Sequence, residues 1–444
     1  MVPVIPNALP LHKRARRLVL IAWTFLLVYL TYKRIQRRPL LDRAQRDRLY
    51  SQAHRKNAER IYRLAVRMEG LLIKTCQFIS SRADVAPPEY VSVLSRLQDR
   101  VPSRPYYQVA ALVERELGAR PEVLFATFER EPVAAASLAQ VHRATTHDGQ
   151  AVAVKVQYEG IEQVVQADLR NLSMLVKLLA RIEPNFDFRI LMDEVRRYAP
   201  QELDFLREGR SAERVARELA HRKDVLVPGV FWDLTARRVL TMEFIEGPKI
   251  SDTDALLAAG IDPNAVALIM MEAYCEQILI HGFFHADPHP GNLLVLPGPV
   301  VVFLDFGLSK ELPNEFRLNY ARLTRAIMTR DEPAMVAAFR ALGFKTRSES
   351  SESLIALGRS FFEAGGAEQR PYIDRDVMPE VNERMATILK QNPVTQIPGD
   401  ILLIFRVLGL MSGLQKRLES RIDMVETILP YAESQVEAPG EAAL

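Results

Sequence analysis

The stretch that decides the fold is HADPHPGN, residues His285–Asn292, together with DFG, residues Asp305–Gly307. Between these two motifs, the short apolar runs Leu293–Leu296 and Val300–Leu304 flank a Pro-Gly-Pro turn. Apolar runs of this length, bounded by turn residues, are typical of β-strands. The spacing therefore predicts a hairpin that brings the two motifs together at its open end.

The polar residues of the two motifs are suited to magnesium and phosphate. Asn292 and Asp305 offer hard oxygen ligands without sulfur, which is the donor set that Mg²⁺ prefers. In protein kinases, an Asp in the catalytic loop faces the acceptor, an Asn five positions later holds one Mg²⁺, and an Asp before Phe-Gly bridges metal and phosphates. Asp287, Asn292 and Asp305 have these spacings. We expect Asn292 and Asp305 to bind metal and Asp287 to act on the nucleophile.

This stretch has two other interpretations. The aspartates could belong to a turn that only caps strands. Alternatively, His281, His285 and His289 are spaced by four and would form a zinc site on one helical face. Pro288 and Pro290 interrupt any helix there, which disfavours the zinc interpretation.

Lys155 is the candidate lysine for the phosphates. It lies near the end of the apolar run Ala151–Val156, which predicts a strand upstream of both motifs. Such a lysine is normally paired with a helical glutamate that fixes its direction. Glu202 and Glu208, ahead of an amphipathic helix that runs to about Arg222, are the candidates. The sequence does not choose between them, and either could be a solvated charge.

An alanine-rich stretch, Pro132–His142, occupies the place where a kinase has its glycine-rich loop. Glycine permits close approach to phosphates and positive φ angles, whereas the alanine methyl group restricts both. We expect nucleotide to be held differently here, and a helix start without phosphate contact is the alternative. The candidate nucleotide contacts are Ala134, Ala135, Ala136, Ser137 and Gln140.

Taken together, these residues resemble the UbiB/ADCK (AarF-type) family of atypical kinase-like proteins. Upstream, KTCQ at Lys74–Gln77 is similar to the family's Lys-x-Gly-Gln motif, and the resemblance extends over about residues 60 to 420. It implies an α+β, two-lobed protein-kinase-like fold. It also implies a helical N-terminal extension that folds over the active site, and ATP and Mg²⁺ as cofactors.

The resemblance also assigns residues. It implies that Lys74 and Gln77 lie near the nucleotide, with Glu202 or Glu208 as the acidic partner of Lys74. Cys76 replaces the glycine of the motif, so its side chain requires either a permissive backbone angle or a repositioned helix. A second departure is Ala139, which replaces a glycine usual after the alanine-rich stretch.

Composition agrees with a two-lobed intracellular domain. The 444 residues are 48% hydrophobic and 25% charged, which is enough to bury a sizeable core. Cys76 and Cys275 are the two cysteines, and they give no disulfide framework. The net charge of +3 is too small to indicate a nucleic-acid partner, and no finger spacing occurs.

An apolar run, Leu18–Tyr32, lies between the basic clusters Lys13–Arg17 and Lys33–Arg38. As a helix it would span about 22 Å, short of the hydrocarbon core of roughly 30 Å, although snorkelling basic side chains extend its reach. We expect a short transmembrane or deeply inserted anchor, in preference to an interfacial helix, a buried helix or a cleaved signal peptide. In a bacterial chain, the need for ATP would place the remainder on the cytoplasmic side.

Domain boundaries follow from these features. Strands are expected at Val225–Asp233 and Arg238–Phe244, and Glu243 begins a hinge whose backbone would bind adenine. Arg406 interrupts the apolar run Ile401–Met411, which predicts a packed lobe helix instead of a second membrane anchor. The predicted segments are a membrane anchor (1–40), a helical extension (41–128), an N-lobe (129–246), a C-lobe (247–430) and a disordered tail (431–444).

The resemblance implies a membrane-associated atypical kinase or ATPase that transfers phosphoryl slowly to water or to a small, lipid-like acceptor. The biological setting that it implies is ubiquinone or other isoprenoid lipid biosynthesis, with membrane lipids and quinone-biosynthesis enzymes as partners. A nucleotide-binding pseudokinase scaffold is the first alternative. A protein kinase is the second, although no Ala-Pro-Glu element closes an activation segment.

Overall fold

The computed structural model describes residues 10–38, 42–81, 86–98, 103–182, 189–348, 350–363, 392, 394–396 and 398–437. The chain divides into two compact units. The first comprises Met1–Gly209 with Gly229–Phe244, and the second comprises Arg210–Pro228 with Ile245–Leu444. Arg210–Pro228, which the sequence-based boundaries assign to the N-lobe, therefore belongs to the second unit, and the helix Phe205–Glu218 is divided between the two.

Helices dominate the first unit, and residues 42–81 and 86–98 of the predicted extension are mostly helical. Short 3₁₀ turns at Ser95–Gln98, Gln201–Leu203 and Trp232–Leu234 connect other elements. The helices are Leu11–Gln36, Arg43–Met68, Leu71–Ser81, Pro88–Leu94, Tyr106–Leu117, Pro121–Leu124, Ile161–Ile182, Arg189–Tyr198 and the beginning of Phe205–Glu218.

An antiparallel sheet carries the predicted lysine. Side chains alternate across a strand, so Val152, Val154 and Val156 enter the core while Lys155 lies on the opposite face. We call Ala151–Gln157 the lysine strand; it pairs with Ala139–Thr145 on one side and Val239–Glu243 on the other. The strands are Thr127–Phe128, Ala134–Ala135, Ala139–Thr145, Ala151–Gln157 and Val239–Glu243.

The second unit contains the predicted hairpin. Strands Leu293–Leu296 and Val300–Phe303 pair antiparallel, with Leu293 opposite Phe303, which confirms the hairpin prediction. The strand predicted over Val225–Asp233 was wrong in length. Only Val225–Leu226 is a strand, because Pro228 cannot donate to a β-ladder. The other strand pairs among the described residues are Val225–Leu226 with Val300–Phe303, which is parallel, Phe283–His285 with Ser309–Glu311, and Lys345–Thr346 with Val394–Gln396.

Helices form the rest of the second unit. Gly399–Arg417 buries Ile401, Leu403 and Val407 completely, which confirms a packed lobe helix around Arg406. The helices are the end of Phe205–Glu218, Thr253–Ala258, Pro263–Cys275, Asn314–Met328, Glu332–Ala341, Glu352–Glu363, Gly399–Arg417 and Met424–Glu437, with a π-helical turn at Glu276–His281 and a 3₁₀ turn at Pro290–Asn292.

The disordered tail predicted from residue 431 was wrong for its first part. Residues 431–437 continue the helix Met424–Glu437, because Ala432 is fully buried and Gln435 accepts a hydrogen bond from Arg317. Residues 438–444 lie outside the described part of the chain.

One helix among the described residues, Leu11–Gln36, has the length and apolar composition needed to cross a membrane. It begins after Pro10 and contains the apolar run noted in the sequence. We call it the N-terminal helix.

Two helical glycines give a test of the packing. A methyl group at Gly209 would lie 2.9 Å from the ring of Trp232, whereas one at Gly413 would meet nothing within 4 Å. We expect Gly413→Ala to stabilise the protein by up to about 1 kcal/mol through helix propensity. We expect Gly209→Ala to destabilise it by about 1–3 kcal/mol, because the packed ring must move. Thermal unfolding measures both, and a raised Tm for Gly209→Ala would contradict the tight packing.

Candidate active site

In the first unit, Lys155 and Glu208 form a tight ion pair. Lys155 Nζ lies 2.6 Å from Glu208 Oε1, and the Glu208 side chain is only 2% exposed. Glu208 is inside the first turn of the helix Phe205–Glu218, and not ahead of the helix as the sequence analysis expected. The two candidates left open for Lys155 are thereby separated: Glu208 is its partner.

Lys74 has a carboxylate of its own. It lies in the helix Leu71–Ser81, and its Nζ is 3.1 Å from Glu202 Oε2 in the 3₁₀ turn that precedes the Glu208 helix. Within one unit, Lys74 is thus paired with Glu202 and Lys155 with Glu208. Glu202 and Glu208 are six residues apart, so one short segment supplies both acidic partners.

Cys76 fits into an ordinary helix. The left-handed backbone angles in this region belong to Glu69 and Gly70, ahead of the helix, where φ is 54° and 63°. Cys76 is buried in the core of the first unit, and burial raises the pKa of its thiol to about 12. The cysteine is thus a packed, unreactive residue that needs no special backbone angle. Gln77 belongs to the same helix, but its side chain lies outside the described residues.

The alanine-rich stretch forms a hairpin, so the alternative of a helix start was wrong. Ala134–Ala135 pairs with Ala139–Thr145, and the Ala136 amide donates to the Ala139 carbonyl at 2.8 Å across the tip. Ala134 and Ala136 are exposed, Ala135 is half-buried, and Ser137 is buried. The exposed backbone of this tip is the part of the stretch that a ligand can reach.

Gln140 is a correction to the predicted nucleotide contacts. Its side chain is fully buried, and its Oε1 accepts from the Arg104 amide at 2.6 Å. Its Nε2 donates to the Arg104 carbonyl at 3.2 Å and lies 2.8 Å from His142 Nε2. Because both ends of the amide are engaged in the interior, we assign Gln140 to packing.

Glu243 is the exposed last residue of its strand. Its amide donates to the Gly229 carbonyl at 2.8 Å, and the next amide, of Phe244, donates to the Ala151 carbonyl at 3.0 Å. The first unit ends at Phe244, so Glu243 lies beside the point where the chain passes to the second unit. Its role as the hinge residue stays a prediction.

In the second unit, the hairpin brings Asn292 and Asp305 to one end. The Leu304 amide donates to the Asn292 carbonyl at 3.0 Å, which connects the two motifs directly. Asp305 Oδ1 accepts from the Gly307 amide at 2.9 Å, which orients the carboxylate. Hard oxygen donors on adjoining loops are a donor set that fits Mg²⁺.

Asp287 forms a salt bridge that sequence reasoning missed. Arg406 Nη2 lies 2.8 Å from Asp287 Oδ1, and the Arg406 side chain is 3% exposed. The signal was present in the sequence, because a single charge inside an otherwise apolar, buried helix requires a partner. We used Arg406 to identify a packed helix, but the sequence does not indicate which carboxylate it meets.

A second ion pair connects the same helix to the strand after Asp305. Lys310 Nζ lies 2.7 Å from Asp400 Oδ1 in the first turn of Gly399–Arg417. Lys310 belongs to Ser309–Glu311, which pairs with Phe283–His285 just ahead of Asp287. The helix Gly399–Arg417 is therefore connected by ion pairs to Asp287 and to the strand that follows Asp305–Gly307.

His285 supports the Asp287 loop from the interior. The fully buried His285 ring lies 3.0 Å, at Nδ1, from Tyr274 Oη, and its backbone amide donates to Gln277 Oε1 at 3.0 Å. Burial lowers the pKa of His285, although Asp287 and Asp305 act in the opposite direction. His281 lies in the π-helical turn and His285 in a strand, so the two do not share the helical face that the zinc interpretation required.

A mixed helix and sheet fold with these two motifs and a lysine-glutamate pair defines a kinase-like protein. A family model described as the ABC1 atypical kinase-like domain matches residues 96–339. AarF domain-containing protein kinase 1 of Gallus gallus is 34% identical over 386 residues, covering 84% of this chain and 73% of the relative. The chain therefore belongs to the ABC1 family of atypical kinase-like proteins, which is the UbiB/ADCK family.

Two further similarities are to a plant protein and to a solved bacterial structure. Protein ACTIVITY OF BC1 COMPLEX KINASE 3, chloroplastic, of Arabidopsis thaliana is 34% identical over 381 residues, covering 85% of this chain and 53% of that relative. A solved structure titled as the complex of Rv3197 with erythromycin from Mycobacterium tuberculosis has a TM-score of 0.61 and 22% identity. It covers 88% of this chain and 98% of its own, and at this identity it supports the fold alone.

The Asp287–Arg406 salt bridge can be tested by a double-mutant cycle. Arg406→Met leaves Asp287 without its buried guanidinium, and we expect it to lower the free energy of unfolding by roughly 3–5 kcal/mol. Adding Asp287→Asn to that variant should recover part of the loss, because the uncompensated charge is gone. Denaturant unfolding gives the values.

Arg417→Met, at the exposed end of the same helix, is the matched control for this cycle. A surface change of this kind is expected to alter the free energy of unfolding by less than about 0.5 kcal/mol. Equal losses for the two arginine variants would contradict a buried salt bridge at Asp287.

Proposed function

We propose that this protein binds Mg-ATP and acts as a membrane-associated ATPase or atypical kinase. The observation that carries the proposal is the 2.6 Å pair between Lys155 and Glu208, because a buried carboxylate that directs a strand lysine is the arrangement a kinase-like site requires. Family membership supports it, since the motifs around Asp287 and Asp305 lie inside the matched domain.

The residues divide the work by their chemistry. Lys155 would neutralise the α- and β-phosphates, with Glu208 keeping its ammonium directed and charged. Asn292 and Asp305 would hold Mg²⁺, which supplies charge neutralisation at the phosphates when bound. Asp287 would orient or deprotonate the nucleophile. Arg406 would hold the Asp287 carboxylate in place from the interior.

The proposed acceptor is water or a small, lipid-like molecule. The membership in the UbiB/ADCK family supports a setting in ubiquinone or other isoprenoid lipid biosynthesis, with quinone-biosynthesis enzymes and membrane lipids as partners. The N-terminal helix supports association with a membrane. Lys74, which Glu202 holds at 3.1 Å, is proposed to act near the phosphates together with Gln77.

The first experiment is ATP turnover by the full chain with Mg²⁺, with and without anionic liposomes. We expect measurable hydrolysis that increases with liposomes and is lost in Asp305→Asn, because that variant removes a metal-binding carboxylate. Nucleotide binding without turnover would replace the ATPase by the scaffold. Phosphorylation of an added protein in trans, exceeding hydrolysis, would favour a protein kinase instead.

Asp287→Asn separates turnover from binding. If Asp287 orients or deprotonates the nucleophile, we expect turnover to fall by about 10²–10⁴-fold while ATP affinity stays within about threefold. Affinity for a fluorescent ATP analogue gives the second quantity. Unchanged turnover in Asp287→Asn would exclude the proposed role of this carboxylate. Asp254→Asn, at an exposed position in the helix Thr253–Ala258 of the second unit, is the control and should change neither quantity.

A further inference from the structure

The N-terminal helix packs along the first unit and does not stand apart from it. Arg17 donates from Nε and Nη2 to the two oxygens of Asp168 at 2.8 and 2.5 Å, and from Nη1 to the Met68 carbonyl at 2.7 Å. The Asp168 side chain is 0% exposed. A bidentate guanidinium is the partner that a buried carboxylate requires, so the helix supplies an interior charge of this unit.

The far end of the helix is held as well. Thr31 Oγ1 accepts from Arg60 Nη1 at 3.0 Å. Tyr32 Oη lies 2.8 Å from His54 Nδ1 and 2.9 Å from Tyr90 Oη. Polar contacts about fifteen residues apart therefore fasten the helix along most of its length.

The face of the helix turned away from the protein is apolar and exposed. Arg17, Ile21 and Ile35 share the inner face, where Ile21 is fully buried. With about 100° of rotation per residue, a second row of residues lies on the opposite side. This outer row consists of Val19, Trp23, Leu26 and Leu30, which are 41–64% exposed.

The helix that carries Asp168 has an exposed apolar row too. Met174, Leu178 and Ile182 are spaced by four in Ile161–Ile182, and each is about half exposed. An isolated exposed apolar side chain needs no explanation, whereas exposed apolar rows on two helices that contact each other indicate a surface that is covered in use.

The charges around the outer row identify what covers it. Residues 10–38 contain no Asp or Glu, and Arg17 is the basic residue that Asp168 neutralises. An apolar helix face with basic residues at both ends is complementary to a surface of anionic lipid. The flanking basic residues are Lys13, Arg14, Arg16, Lys33, Arg34, Arg37 and Arg38.

We propose that the N-terminal helix lies in the headgroup region of an anionic bilayer, parallel to its surface, with the outer row facing lipid. A helix that crossed the bilayer would have to exchange its contacts at Arg17 and Tyr32 for lipid, and it would leave Asp168 buried without its cation. The inference deepens the membrane association in the proposed function, and it does not depend on ATP turnover.

The depth of Trp23 distinguishes the two orientations. The chain has two tryptophans, so Trp232→Phe leaves Trp23 as the fluorophore. In a crossing helix Trp23 would lie about 3 Å from the middle of Leu18–Tyr32, near the bilayer centre. We therefore expect stronger quenching by lipids brominated near the headgroup than by lipids brominated near the chain end. Stronger quenching by the deep bromines would overturn the proposal.

A matched pair of substitutions tests the surface itself. Val19 is 64% exposed on the outer row, and Val123 is 66% exposed on a separate short helix of the same unit. With vesicles of phosphatidylcholine and phosphatidylglycerol, we expect Val19→Asp to weaken binding about tenfold or more and Val123→Asp to leave it unchanged. Equal effects, or equal binding to pure phosphatidylcholine, would count against an anionic lipid surface.

A third possible result is that the outer row is covered by a second copy of the chain. If the full chain is a dimer that Val19→Asp dissociates, and if it does not bind vesicles, the outer row is an interface between two copies and the proposal is wrong. If the protein does not turn over ATP but Trp23 is still quenched more strongly by the bromines near the headgroup, the proposed activity is wrong and the membrane surface is supported. The two failures are therefore distinguishable.

Discussion

A carboxylate without access to water needs a cation beside it, and this requirement organises the first unit. Glu208 is nearly inaccessible to solvent. Its 2.6 Å contact with Lys155 therefore holds the helix that begins at Phe205 against the lysine strand. Once that helix is fixed, Glu202 in the preceding 3₁₀ turn comes within 3.1 Å of Lys74. One short segment thus supplies the carboxylate beside each of the two lysines.

Local patterns in the sequence were enough to predict the elements that carry the motifs. The alternation of valine and other residues around Lys155 predicted its strand, and the Pro-Gly-Pro turn predicted the hairpin between Asn292 and Asp305. These features depend on neighbours in the chain. The strand and the hairpin could therefore be predicted without knowledge of tertiary packing.

Features that depend on partners distant in the sequence could not be predicted in this way. Glu202 and Glu208 are equivalent acidic residues in the sequence, and only the packing of their segment against the helix Leu71–Ser81 and the lysine strand assigns each to its lysine. Gln140 was predicted to contact nucleotide, but its side-chain amide is engaged in the interior by Arg104 and His142. Arg406 was visible as a lone charge, but Asp287 lies 119 residues away in the chain. The prediction of a disordered tail from residue 431 was wrong in part for the same reason, since the burial of Ala432 depends on other helices.

The contact between Arg17 and Asp168 joins residues that are 151 positions apart. At synthesis rates of about 5–20 residues per second, Asp168 is made roughly 8–30 s after Arg17. For that interval the N-terminal helix has been translated, together with the helix Arg43–Met68 against which it also packs, while the helix that carries Asp168 has not. The order of synthesis therefore leaves the Arg17 side of this helix open to membranes and chaperones until the chain has grown past Asp168.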